Sequence, residues 1–116
     1  LAIAVDPGVG ERAAFICDIG SPPSALAAAW PMLNFDHLAE TWWPEGGESE
    51  AAVDSRGRAF RHAMRAQPDW RGRIVVTHWG FIRALTEHRV ENCAIIRFDP
   101  HSGHPGGGMV VSALDV

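Results

Sequence analysis

The stretch Arg73-Ile74-Val75-Val76-Thr77-His78-Trp79-Gly80-Phe81-Ile82-Arg83-Ala84-Leu85 decides how the rest of this chain is read. Ile74, Val75 and Val76 form a β-branched run, too short for a helix and suited to a pleated surface. Such an unbroken apolar run reads as an inner strand covered on both faces, as in parallel sheets. After Gly80, the residues Phe81, Ile82, Ala84 and Leu85 recur at helical spacing, so the chain is expected to pass straight from strand into helix. In open α/β sheets that junction is where ligands bind, outside the carboxyl ends of the strands. The first helical turn offers unpaired N–H groups and a partial positive charge, both suited to an anion. His78, at the last position of the strand, is expected to point into the crevice. A strand-end histidine with a satisfied hydrogen bond and no chemistry is the plain alternative, and the local geometry alone does not choose between them.

Working outward, 116 residues make one domain or a piece of one. A hydrophobic content of 47% with five tryptophans is enough for a packed core and speaks against disorder. The formal net charge of −4 argues against general affinity for nucleic acid or an anionic membrane surface. No apolar run approaches a membrane span, and nothing resembles a signal peptide. Cys17 and Cys93 are far apart and share no metal spacing, which predicts buried free thiols in a reducing compartment. A cytoplasmic domain with neither nucleic-acid nor membrane partners is expected. The chain opens at Leu1 inside what already reads as a strand, as though a domain were entered part-way through.

Leu1 to Val5 is read as that strand, closed by the turn Asp6-Pro7-Gly8, with Glu11-Arg12 in the loop at its exit. Ser21-Pro22-Pro23 announces a helix, with Ser21 able to cap it and Pro22 suited to its first position. Ala25 to Trp30 continue that helix, and Pro31 stops it. Asn34 to Glu40 is a candidate short helix with Phe35 and Leu38 inward. Trp42 and Trp43 are read as a plug holding a turn onto the core. Glu48 to Gln67 is the longest helix expected. Val53, Phe60 and Met64 lie on its inner face, Asp54, Arg58, Arg61 and Arg65 are spread over the rest, and Gly57 marks a close contact. Ala94 to Phe98 reads as a strand, Asp99 to Gly108 as a glycine-rich hairpin loop, and Met109 to Val116 as an antiparallel final strand. This order gives an α/β fold, with a mostly parallel sheet carrying helices on both faces and an antiparallel edge.

The segment Ile74 to Leu85 resembles the second-histidine segment of the histidine phosphatase superfamily, the group that includes the phosphoglycerate mutases. Glu11-Arg12 through Trp43 resembles the middle region of phosphoglycerate mutase-like proteins, with its acidic residue, Asp18-Ile19-Gly20-Ser21-Pro22 turn and paired tryptophans. Asn92 to Pro100 fits the strand after the second helix of that family. The likeness spans nearly the whole chain, with the motifs in the family's order.

The resemblance implies a phosphate pocket in which a histidine of an Arg-His-Gly motif attacks phosphorus. A second histidine and two arginines bind the phosphoryl oxygens, and an acid protonates the leaving group. His78 matches the second histidine and Glu11 the acid, which on its own would pass for a solvated loop carboxylate. An imidazole beside a helix N-terminus suits the charge spread over a transferring phosphoryl group, with the backbone of Trp79 and Gly80 beside it. A carboxyl that donates a proton needs a neighbouring anion or burial to favour its protonated form. The 116 residues contain no Arg-His-Gly; Arg61-His62-Ala63 resembles it but lies in the long helix and lacks the glycine. Trp79 stands where many relatives have a small residue.

The reading is therefore the C-terminal part of an incomplete phosphoglycerate mutase-like fold, residues 1–116 as a single domain. Its function is expected on small phosphate esters through a phosphohistidine, inactive alone because the nucleophile is elsewhere. Catalytic residues are Glu11 and His78; His78, Trp79 and Gly80 bind phosphate; no cofactor or metal is expected. His101 and His104 lack a third metal ligand and read as exposed loop residues. Arg83 reads as a surface or ion-pairing residue, and His37, His62 and His88 have no motif around them. The alternative is a non-catalytic, degenerate anion-binding or protein-interaction domain. Its partners would be a small phosphorylated substrate or inorganic phosphate, or a second copy pairing through an exposed sheet edge.

Overall fold

The computed structural model describes residues 1–111. In chain order it contains α1 (Pro23–Ala29), α2 (Glu50–Arg65), α3 (Trp79–Thr86) and a hairpin of β1 (Ile95–Phe98) and β2 (Gly108–Val111). Short 3-10 turns occupy Pro7–Val9, Ile16–Asp18 and Trp70–Gly72.

The first helix starts later than its sequence signals suggest. Pro22 is the N-cap of α1 and Pro23 its first residue, leaving Ser21 outside, where its carbonyl accepts from Trp42 Nε1 at 2.7 Å. The expected helix at 34–40 does not form. Asn34 Oδ1 takes the N–H of Asp36 at 2.8 Å, a local bond that competes with helical pairing, while Phe35 is still buried. Trp42 and Trp43 meet edge to face at 5.6 Å, and a Cβ on Gly20 would run into both rings. The two tryptophans, each half-buried, thus close on each other and on Gly20.

Helix α2 is the scaffold. Ser49 caps it, its Oγ accepting from Ala52 N–H at 3.1 Å; Glu50 sits in the first turn, His62 and Arg65 in the last. Its buried stripe is Val53, Gly57 and Arg61, at four-residue steps. A Cβ on Gly57 would stand 3.2 Å from His104 Cε1 and 3.8 Å from Leu85 Cα, so α3 and the hairpin loop both close on this point. Phe60 meets Phe81 of α3 edge-on at 5.8 Å and lies 6.0 Å from Phe98 of β1. Val53, Phe81 and Leu85 are the centre of a small core.

Arg61, expected on the polar side, is 3% exposed. Its NH2 group donates to Leu85 O at 2.9 Å and Gly106 O at 2.6 Å. Its NH1 group donates to Ser102 O at 3.0 Å and Asp99 O at 3.4 Å, and Nε donates to His104 Nδ1 at 3.3 Å. The guanidinium also lies over the Phe98 ring at 4.8 Å. All five donors of the fork are therefore taken, by three carbonyls of the hairpin loop, by Leu85 O near the end of α3 and by the His104 imidazole. Burial is the main influence holding its pKa below the usual arginine value. His104 is likewise not an exposed loop residue: its side chain is 5% exposed and its Nε2 lies 2.7 Å from Asp54 Oδ1. With Nδ1 accepting from Arg61, the neutral tautomer that donates through Nε2 fits both contacts.

β1 and β2 pair antiparallel, Ile95 opposite Val111 and Phe98 opposite Gly108, as the sequence pattern predicts. The remainder of the expected last strand, 112–116, lies outside the described residues. The mostly parallel sheet with helices on both faces does not appear among the described residues: Leu1 to Val5 and Ile74 to Val76 join no ladder. Ile74 is 92% and Val76 89% exposed, the reverse of an inner strand. Strand propensity describes a side chain's fit to a pleated surface and supplies no neighbour to pair with. Cys17 and Cys93 also differ from expectation; both free thiols are exposed, each carried on a turn.

The accessible surface is 8211 Å² for 12.6 kDa. A compact monomer of that mass exposes about 6,200 Å². Large apolar residues exposed on the described part of the chain include Leu1, Ile3, Phe15, Ile16, Ile74 and Val76. No helix among the described residues is long and apolar enough to cross a membrane.

Arg61→Met should lower unfolding free energy by about 2 kcal/mol or more, because Ser102 O and Gly106 O would be left without a donor at about 1 kcal/mol or more each. The exposed Arg58→Met, which loses an i,i+4 pair with Asp54, should cost less than about 0.5 kcal/mol. Urea denaturation of both variants measures the contrast, and equal midpoints would remove Arg61 from the centre of the fold.

Candidate functional site

The junction between Thr77 and Phe81 is fixed from one side by the chain that leaves the first turn. Thr77 Oγ1–H donates to Val9 O. His78 is the N-cap of α3, with φ −123° and ψ 165°, and its side chain makes no capping bond. The first-turn N–H groups therefore need another acceptor. Glu11 supplies it. Its Oε2 accepts from Gly80 N–H at 3.2 Å and its Oε1 from Arg12 N–H at 2.8 Å. A Cβ at position 80 would collide with Glu11 Oε1 and stand 3.3 Å from Arg12 Cβ, so the absence of a side chain is what lets the carboxylate reach the helix end. Negative charge at that pole of the helix is favourable. Glu11 and His78-Trp79-Gly80, 69 residues apart for the Glu11–Gly80 pair, thus share one place.

The loop bearing Glu11 is held by Arg56 of α2. Arg56 NH1 donates to Gly8 O at 2.8 Å and Gly10 O at 3.0 Å, and NH2 donates to Glu11 O at 3.4 Å. The same guanidinium meets Glu48 with two bonds of 2.7 Å and lies 5.4 Å from the centre of the Phe81 ring. Arg12 Nε donates to Glu48 O at 3.0 Å, and Glu48 N–H donates to Ala13 O at 2.7 Å. The hydrogen bonds from Arg56 hold the Glu48 carboxyl below its usual pKa.

Around this knot the side chains are accessible. The His78 imidazole is exposed. Asp18 lies within its electrostatic reach; the Asp18 carboxyl is held below the usual range first by the N–H groups of Ala14 and Phe15 and, more weakly, by His78. Trp79 is 45% exposed, and the Arg83 guanidinium sits over its ring at 5.6 Å. An open groove of about 420 Å³ runs past Arg12, Trp79, Gly80 and Arg83, with Glu50 and Asp54 on its other wall. Arg12, Arg83 and Arg89 line the groove with Trp79 and Gly80, while Glu11 and His78 lie outside that lining and meet it at the start of α3.

Sequence reasoning gave no role to Arg12 or Arg56. Arg12 followed Glu11 in view, but nothing local signals that its side chain turns toward α3. Arg56 carries no signal at all, since an arginine on an amphipathic helix ordinarily faces water. The remaining histidines lie elsewhere. His37 Nε2 pairs with Val5 O at 2.6 Å, His88 Nε2 with Gly108 O at 2.8 Å, and His101 lies 5.5 Å from the Trp70 ring.

Residues 1–105 match a family model described as the histidine phosphatase superfamily, branch 1. No curated protein and no solved structure matches the chain.

Gly80→Ala should destabilise the protein by about 1–3 kcal/mol through the collision with Glu11. In a Glu11→Gly background the same change should cost less than half as much, and a double-mutant cycle in urea measures the coupling. Additive losses would show that the two residues do not meet.

Glu48 gives a pH signature. Its pKa is lowered on folding from the ordinary glutamate value of 4.5, so the unfolded state binds more protons in the acid range. Its contribution is present above that value and lost as the pH falls through the folded pKa. Glu48→Gln should therefore be less stable than the parent near pH 7, with the gap closing on acidification; parallel stability curves would remove the Arg56 pair from the account.

Proposed function

The chain belongs to the histidine phosphatase superfamily, and from that premise we propose that it is the C-terminal part of a cytoplasmic, phosphoglycerate mutase-like phosphatase acting on small phosphate esters. The observation that carries this reading is the meeting of Glu11 with the N-terminus of α3 beside His78. His78 binds phosphoryl oxygens, with the backbone of Trp79 and Gly80 and the pole of α3 adding to the same field. Glu11 protonates the leaving oxygen, since an approaching phosphoryl group favours the protonated form of a nearby carboxyl. Arg12 and Arg83, which line the groove past Trp79 and Gly80, supply positive charge beside the ester.

The phosphorylated histidine comes from a segment outside these 116 residues, which contain no Arg-His-Gly. That segment is a strand lying between Leu1–Val5 and Ile74–Val76, completing a mostly parallel sheet. The exposure of Leu1, Ile3, Ile74 and Val76 supports it, because each offers apolar surface that a neighbouring strand would cover. Without the segment the chain does not turn over substrate.

One observation favours a second reading, a non-catalytic anion-binding or interaction domain. The Gly80 N–H is already taken by Glu11, so an incoming anion must share that donor or displace the carboxylate. On this reading the bare apolar runs pair with a second copy of the chain.

Orthovanadate or phosphate in excess should raise the melting temperature by about 4 °C or more, and His78→Ala should abolish the rise. The 116-residue chain should show no phosphatase turnover, and supplying the upstream coding segment with its Arg-His-Gly strand should restore it. No thermal shift in the parent would remove the phosphate site. Robust His78-dependent turnover by these residues alone would show that the nucleophile lies among them.

A further inference from the structure

Two residues beyond Glu11 in the chain, the backbone enters the wall of a second and larger concavity. It has a volume of about 710 Å³ and lies between the 3-10 turn at Ile16–Asp18 and the turn that follows Trp43. Its size falls in the range of small-molecule sites, about 300–1,000 Å³. Phe15, Ile16, Ile19 and Trp43 supply apolar walls. Phe15 is 76% and Ile16 87% exposed, so apolar area remains for an occupant to remove from water.

Two carboxylates complete the lining, Asp18 and Glu45. Asp18 is anchored: its Oδ2 accepts from Ala14 N–H at 2.9 Å and Phe15 N–H at 2.7 Å. A charge fixed in this way cannot swing aside when a ligand enters. His78 lies outside the lining but within electrostatic reach of Asp18, and the short step from Glu11, bonded to Gly80, to Ala13 in the wall brings the cavity beside the end of α3. The concavity and the Glu11–His78 surface are thus neighbours with opposite preferences. One favours an anion; the other is apolar and carries two negative charges.

We propose that this cavity receives the organic part of a phosphate monoester whose alcohol is apolar and bears no second negative charge. The inference rests on the phosphate-handling reading of His78 and narrows its substrate class. With the phosphoryl group at His78, the alcohol extends along Ala13 to Asp18 and lies against Phe15, Ile16 and Trp43. A carboxylate or second phosphate on that alcohol would be driven against Asp18 and Glu45. The site therefore rejects anionic esters by repulsion as well as accepting apolar ones by burial.

Binding of four probes to the 116-residue chain by calorimetry tests this: inorganic phosphate, 1-naphthyl phosphate, 4-carboxyphenyl phosphate and 1-naphthol. Naphthyl phosphate should bind about tenfold or more tighter than either of the other anions, the scale expected of an apolar pocket. Ile16→Ser, an exposed position, should remove most of that advantage while leaving phosphate affinity unchanged. Asp18→Asn, which keeps an oxygen for the Ala14 and Phe15 amides, should raise affinity for carboxyphenyl phosphate selectively. If phosphate binds through His78 but all three anions bind alike, the cavity assignment is overturned and the phosphate reading stands. If phosphate fails to bind and naphthol binds as well as its phosphate ester, the phosphate reading falls and this inference with it.

Discussion

One buried guanidinium holds the two halves of this structure together. Arg61 reaches from the middle of α2 to Leu85 O near the end of α3 and to three carbonyls of the hairpin loop. Few side chains are fully buried around it, and the small core of Val53, Phe81 and Leu85 cannot orient a glycine-rich loop. The loop has backbone acceptors that neither a ladder nor a helix satisfies, and buried acceptors demand donors. A charged donor makes stronger bonds than a neutral one but loses its own hydration on burial. Five contacts made at once favour the buried state, and removing the fork would leave Ser102 O and Gly106 O of the loop without a donor. His104, pinned between Arg61 and Asp54, extends the same network to the exposed side of α2.

Arg56 performs the equivalent task at the opposite end. Five residues earlier on α2, it leaves the helix about 140° around from Arg61. It therefore faces the Gly8–Glu11 loop while Arg61 faces the hairpin. Between these two arms lies α3, with Phe81 beneath Arg56 and Leu85 O against Arg61. The position of Glu11 relative to the start of α3 is thus set by a helix that contributes no side chain to that contact. A candidate site whose parts come from distant stretches of chain depends on such supports, because in catalysis a loss of alignment of about 1 Å can cost orders of magnitude in rate.

The sequence disclosed what depends on neighbours in the chain and concealed what depends on distant partners. The entry into α3, with His78 at its cap and glycine at position 80, follows from local pattern. So do the hairpin, the long helix expected over Glu48 to Gln67 and observed as Glu50–Arg65, and the close contact at Gly57. Arg61 reads from sequence as a residue of the wet side, because charge normally marks that side of a helix and nothing within α2 records that carbonyls await it. His104 was placed in solvent for the same reason, its partners lying on α2, 43 and 50 residues away. Ile74 to Val76 reads as an inner strand from composition alone, yet a strand exists only with a pairing partner. The role of Glu11 came from a family likeness; its contact with Gly80 explains why a glycine stands there.

That contact also bears on how the proposed chemistry would proceed. The pole of α3 already holds an anion, the Glu11 carboxylate, so a phosphoryl group arriving at His78 enters a field partly neutralised. Two anions at one helix end repel, and protonating the carboxyl relieves the repulsion. A protonated carboxyl no longer accepts as strongly from the Gly80 amide, which frees that donor for a phosphoryl oxygen. Binding the ester and loading the proton donor would then be one event: the same charge that needs the amide also drives the proton onto Glu11. A residue without a side chain at position 80 is the condition for this exchange, since only there can carboxylate and phosphate approach the same N–H in turn.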